Sequence, residues 1–148
     1  DAVERPDQHD HRHAAGHLAF SETCAKKSPG TRLEIRYAAN RSEAFETTLQ
    51  ALSGNDSADG LFCMSDEILA GAMKAVHGLG LSVPGSIGVI SISNGFIPGL
   101  FNPEITYVET SGEQLGRAAL RTMLDRLKQH SQPVEQVVEA KLVNGQSL

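Results

Sequence analysis

The sequence predicts an α/β fold with a mainly parallel sheet, on three observations. Short apolar runs alternate with amphipathic segments of about ten residues or more, which is the pattern of βαβ crossovers. The run Ile87 to Ile92 is apolar at nearly every position, as a strand covered on both faces requires. Gly, Pro, Asn and Asp cluster between these segments and punctuate them as turns. With 148 residues, 40% of them hydrophobic, the chain can bury one core, so one domain or part of one is expected.

Taken in order, about His9 to Lys27 carries Ala14, Leu18, Phe20 and Ala25 at helical spacing, and Ser28-Pro29-Gly30 stops it. Leu33, Ile35 and Tyr37 alternate as a short strand. Ser42 to Leu52 is a second helix with Ala44, Phe45, Thr48, Leu49 and Leu52 on one side. Gly60 to Met64 is a buried strand. Asp66 is placed to cap the next helix, in which Ile68, Leu69, Ala72, Met73 and Val76 share a face and Gly78 and Gly80 supply the exit. Val83-Pro84-Gly85 turns the chain into the Ile87–Ile92 strand, which is expected at the centre of the sheet. Ile105 to Glu109 is a further extended segment. Ser111 with Gln114 makes a capping-box pattern that opens a helix to about Lys128, and Val134 to Val143 reads as a long closing strand.

Composition excludes several classes of function. A formal net charge of -5 argues against a chain that grips phosphate backbones by itself, because DNA affinity rests on clustered Lys and Arg. Cys24 and Cys63 lie far apart with no C-x-x-C spacing, and no apolar run reaches the roughly 20 residues of a membrane span, so a cytoplasmic location without membrane contact is expected. The start at Asp1 reads as part of a longer protein. No Gly-rich phosphate loop and no nucleophile beside a base is visible, so neither a cofactor nor an enzyme is expected. Ligands of parallel sheets bind beyond the C-terminal ends of the strands, which singles out Ala38 to Arg41, Ser65 and Asp66, and Ser93 to Phe96.

Three stretches point further. Gly60-Leu-Phe-Cys-Met-Ser-Asp-Glu-Ile-Leu-Ala-Gly-Ala-Met-Lys-Ala-Val, followed by Gly78-Leu-Gly-Leu-Ser-Val-Pro84 and Ile87-Gly-Val-Ile, resembles the LacI/GalR family of bacterial transcription regulators. So do Asn102-Pro-Glu-Ile-Thr-Tyr-Val and Leu115-Gly-Arg-Ala-Ala. The resemblance runs from Gly60 to Val143 and is weaker upstream, where His13 and His17 stand in place of the Arg and Phe usual in that helix. It implies a sensor of two lobes, like the periplasmic sugar-binding proteins, with a small-molecule effector in the cleft between them. On that reading residues 1–103 are a partial C-terminal lobe, 104–131 a crossover and a helix of the N-terminal lobe, and 132–148 a return strand and tail. A homodimer would contact operator DNA through a headpiece outside this chain. An extracytoplasmic sugar-binding protein of a transport system shares the architecture and is the alternative.

The resemblance maps effector contacts onto His13, Ala39, Ser65, Ser93, Asn94 and Thr110, with Asp66 beside them, and for Ser65 and Asp66 helix capping is the competing reading. The Ser and Asn side chains can donate and accept hydrogen bonds. For Ser93 and Asn94 a plain strand-end turn is the competing reading. His13 and His17 at i, i+4 share a helix face, but no ligand set for a metal is completed around them, and His13 is read as a hydrogen-bonding group. A dimer interface is implied through Ala70 and Met73 of the third helix and through Phe96, Leu100 and Phe101, whose alternative is to fold back onto the core. The effector implied is a small sugar. Val89 to Gly95 and Ile105 to Gly112 resemble regulators of galactoside use more than purine-type members.

Overall fold

The computed structural model describes residues 11–54, 57–128 and 136–148. They fall into two compact units, one up to Tyr37 and one from Ala38 to Leu148. In the first, α1 (His11–Lys27) ends as expected, with Ser28 N donating to Cys24 O at 2.8 Å. The strand expected at Leu33 to Tyr37 does not form: the backbone joins no ladder. Its alternation is real, but Leu33, Ile35 and Tyr37 stay exposed, and a strand without a partner edge leaves its N–H and C=O groups to water. The polar positions organise instead around Glu34, which holds Arg36 at 2.6 Å and Arg32 at 4.0 Å.

The second unit carries α2 (Arg41–Leu52), β1 (Gly60–Cys63), α3 (Asp66–Gly78), β2 (Gly88–Ser93), a 3-10 turn at Pro98–Leu100, β3 (Thr106–Glu109), α4 (Gly112–Lys128) and β4 (Lys141–Val143). Strand order follows chain order. β1, β2 and β3 are parallel, with Leu61 opposite Val89 and Ile92 opposite Val108, while β4 runs antiparallel to β3. The mainly parallel α/β sheet is therefore as the sequence predicted. The long final strand is not: only Lys141 to Val143 pair, residues 136–140 form no ladder, and 134 and 135 lie outside the described residues.

The core forms where α3 lies on one face of the sheet. Leu69, Met73 and Val76 from the helix meet Cys63, Val89, Ile87 and Ile105, and Leu52 of α2 closes the cluster. α2 reaches α3 only because Gly71 has no side chain: a Cβ there would collide with Arg41 O and stand 2.7 Å from the Cβ of Ala44. β2 is an inner strand, but its burial alternates. Val89, Ser91 and Ser93 are buried, whereas Ile90 and Ile92 are only half-buried. The expectation of a strand covered on both faces is thus corrected to one covered fully on the α3 face.

A tail residue completes the sheet. Ser147 is wholly buried beside the starts of β2 and β3, where its Oγ accepts from Thr106 N at 2.8 Å and donates to Val89 O. Val89 N donates in turn to Ser147 O at 2.9 Å. These bonds satisfy backbone groups that no strand partner reaches at that end.

Candidate functional site

Beyond the C-terminal ends of β1, β2 and β3 the chain opens into a cleft of about 700 Å³. Each strand end delivers its residues by a local device. After β1, Ser65 is the N-cap of α3, in extended conformation, with its Oγ accepting from Ile68 N at 3.3 Å. Of the two residues the sequence offers as caps, Ser65 does the capping and Asp66 does not, because only the residue before the first helical position has the extended geometry to reach back to the helix N–H groups. Asp66 is the first residue of the helix, and its Oδ1 is buried with no hydrogen-bond partner among the described residues.

After β2, Ser93 Oγ accepts from Gly95 N at 2.9 Å and Asn94 Oδ1 accepts from Phe96 N at 3.2 Å, two successive turns of the Asx and Ser type. Gly95 sits at φ +98°, where a side chain would be strained and would also meet the Tyr107 hydroxyl. The turn reading of Ser93 and Asn94 is thus realised, and both still line the cleft. After β3, Thr110 N donates to Ser93 O at 3.0 Å, extending the β2–β3 pairing, and Ser111 Oγ caps α4 through Gln114 N at 3.2 Å.

Five of the residues named from sequence, Ser65, Asp66, Ser93, Asn94 and Thr110, line this one cleft. Ala39 does not line it. Its N–H donates to Glu43 Oε2 at 2.9 Å while Asn40 Oδ1 accepts from Glu43 N at 3.0 Å, so Ala39 belongs to the cap of α2. The reciprocal Asn40/Glu43 box is legible in the sequence as an N-x-x-E spacing. The His13 side chain lies outside the described residues, as does that of His17. Among the described residues no three metal-ligating side chains converge.

The cleft also recruits Glu109, Glu113 and Leu115 from β3 and α4, and Phe96 from the loop after β2. The strand-end positions legible in the sequence stop at Phe96, so Glu109, the last residue of β3, is not among them. Phe96, 68% exposed, stands among the cleft residues, and Leu100 is 65% exposed on the 3-10 turn. Phe101 is half-buried against the core, 6.2 Å from the His77 ring, so the loop divides between the two readings. Met73 is corrected: at 1% exposure it is a core residue and has no surface to offer a partner. Ala70 lies in a separate recess of about 450 Å³ on the other side of Asp66, beside Arg41, Lys74 and Ile97, with Lys74 Nζ 4.8 Å from the Phe45 ring.

Cys63 lies in the core behind the site, and burial pushes its thiol up to about 12. A thiol held neutral in this way is a packing group and not a nucleophile.

A mainly parallel α/β sheet with a polar cleft across its strand ends defines the class as a periplasmic-binding-protein-like fold. Residues 2–148 match the periplasmic binding protein-like domain, and the chain belongs to that family, as an effector-binding region of the LacI/GalR type. It is 32% identical to the HTH-type transcriptional repressor PurR of Actinobacillus pleuropneumoniae serotype 3 (strain JL03), over 77% of this chain and 38% of that protein. A LacI family transcriptional regulator from Arthrobacter sp. FB24, in complex with lactose, superposes with TM-score 0.71 at 23% identity, over 97% of this chain and 51% of that one. One from Enterococcus faecium, with bound ribose, does so with TM-score 0.74 at 20% identity, over 91% and 51%. At such identity the two solved structures establish the fold alone. The chain spans well under half of the repressor's length and about half of each solved structure.

Proposed function

We propose that this chain is the effector-sensing and dimerising part of a DNA-binding transcriptional repressor of the LacI/GalR type, that its effector is a small sugar, and that it is not an enzyme. The cleft carries this reading: hydroxyls of Ser65, Ser93 and Thr110 and the amide of Asn94 meet at the ends of three adjacent strands. The oxygens of Ser65, Ser93 and Asn94 accept backbone N–H groups, which fixes their positions and leaves the hydroxyl protons and the Asn94 amide N–H groups to donate to sugar oxygens. Galactosides are the first class to test, and the bound sugars of the two solved regulators widen the panel to ribose.

Regulation on this reading is a population shift. The effector favours whichever lobe arrangement it contacts better, and the two arrangements differ in operator affinity. The DNA contact belongs to a headpiece outside these residues, which fits the chain's net charge of -5. α4 supports the assignment of residues 104–131 to a crossover and a second lobe. It buries none of its side chains, and Leu120, Met123, Leu124 and Leu127 are exposed along it. Phe96, Leu100 and Ala70 remain the proposed contacts of a homodimer.

The deciding experiment follows operator binding by the full-length protein while lactose, galactose and ribose are titrated. Sugar-dependent release or capture is the expected outcome. Sugar binding with no effect on DNA would move the assignment to a transport-type binding protein.

A further inference from the structure

The side chains around the cleft have an uneven charge. Asp66, Glu109 and Glu113 line it, and among the described residues no Lys, Arg or His does. Arg117 pairs with Glu113 at 2.8 Å, on the exposed flank of α4, and Lys141 stands opposite Glu109 in the β3–β4 register, but neither lines the cleft. Arg41 and Lys74 border the recess on the far side of Asp66. Asp66 Oδ1 is buried and without a partner among the described residues, at the junction of the two spaces. A carboxylate with unused acceptor capacity in a partly dehydrated position gains when a charged donor arrives. Phe96 adds an exposed aromatic ring among the same residues, whose face attracts an ammonium group and also packs against the C–H face of a sugar ring.

We propose that the part of the effector held by this half of the cleft is a hydroxyl-rich group bearing a protonated amine, as in an amino sugar, and that carboxylate- and phosphate-bearing analogues are rejected. The proposal rests on the reading of the cleft as the effector site and adds its charge. An anion brought beside Asp66 and Glu109 loses its water and meets like charge, whereas an ammonium exchanges water for charge-assisted hydrogen bonds. The hydroxyls of Ser65, Ser93 and Thr110 serve either kind of ring equally, so the selectivity belongs to the carboxylates.

The test is calorimetric titration of the full-length protein with two matched triads: galactose, galactosamine and galacturonate, and glucose, glucosamine and glucuronate, with ribose and lactose alongside. In the triad that binds, the amine is expected to bind at least tenfold more tightly than the acid, with the ratio falling as KCl is raised. Glu109→Gln and Asp66→Asn, each shown folded by its thermal melt, are each expected to cut that ratio at least threefold. Equal or tighter binding of the acid overturns the proposal, and so does a ratio unmoved in both variants. If neutral sugars bind but the amines do not, the charge assignment fails and the sugar sensor stands. If none of the eight sugars binds, the sugar reading fails and this proposal fails with it.

Discussion

α3 and α4 are both amphipathic helices of one chain, yet one is the centre of the core and the other buries nothing. In α3, Leu69, Ala72, Met73 and Val76 are buried in one cluster with Cys63 of β1 and Val89 of β2. In α4, Leu120, Met123, Leu124 and Leu127 follow an equally regular helical spacing and remain exposed. Periodicity therefore tells which face of a helix seeks a partner but not where the partner is. For α3 the partner is the sheet its own flanking strands build, since β1 and β2 are joined through it. α4 is bounded by β3 and by the antiparallel β4, and no described element of this chain covers its stripe.

The largest expected effects set these helices against each other. Leu69→Ala is expected to destabilise by roughly 2–5 kcal/mol, the range for deleting a fully buried leucine side chain. Leu124→Ala, in the same 148-residue chain, should change stability by no more than about 0.5 kcal/mol, as for surface sites. Urea unfolding of both variants measures the contrast. In a longer protein that supplies the second lobe the Leu124 effect should grow toward the Leu69 value, and a substitution that stays silent there would show that α4 packs on nothing.

Gly71→Ala sharpens the comparison at the back of α3. The added methyl has no room against Arg41 O and Ala44, so overpacking should cost about 1–3 kcal/mol. Gly116→Ala on α4, with open space around it, should be neutral or stabilising, and equal effects at the two glycines would refute the close approach of α2 to α3. A smaller change is expected from Ser65→Ala, which removes the cap of α3 for about 1 kcal/mol. It should also weaken effector binding in the full-length protein. A stability loss with unchanged binding would confine Ser65 to its capping role.

Cys63 provides the smallest effect. Its folded pKa, about 12, lies above the unfolded value of 9.0. The neutral thiol's contribution to stability is therefore complete below pH 9 and is lost only as pH rises from 9 toward 12. Stability measured from pH 7 to 8.5 should show no dependence that Cys63→Ala removes. In thiol labelling at pH 8 Cys24 should react in the native chain and Cys63 only on unfolding. Native labelling of Cys63 would mean that the α3 face opens readily.

Much of the architecture was legible because local rules act within a few residues. Helical spacing located the four helices among the described residues, turn residues bounded them, and the apolar run at Ile87–Ile92 marked the inner strand. The strand-end rule singled out Ser65, Asp66, Ser93 and Asn94, the resemblance added Thr110, and the structure brings all five to one cleft. Where reading failed, the missing quantity was a partner. Leu33, Ile35 and Tyr37 alternate like a strand but their backbone joins no ladder, and of the described residues 136–143 only Lys141 to Val143 find an edge to join. Met73, placed at an interface by resemblance, is held in the core by the sheet beneath it.

By itself the sequence determined the order and kind of most elements, the family, and the polar residue types at the strand ends, because these depend on side-chain period and short-range hydrogen bonding. Tertiary structure alone decided that Glu109 and Glu113 join Asp66 around the cleft, that Ser147 completes the sheet from 41 residues beyond its partner Thr106, and that Gly71 is the point where α2 meets α3. Those outcomes depend on distances between segments remote in the chain, which packing sets and local spacing does not encode.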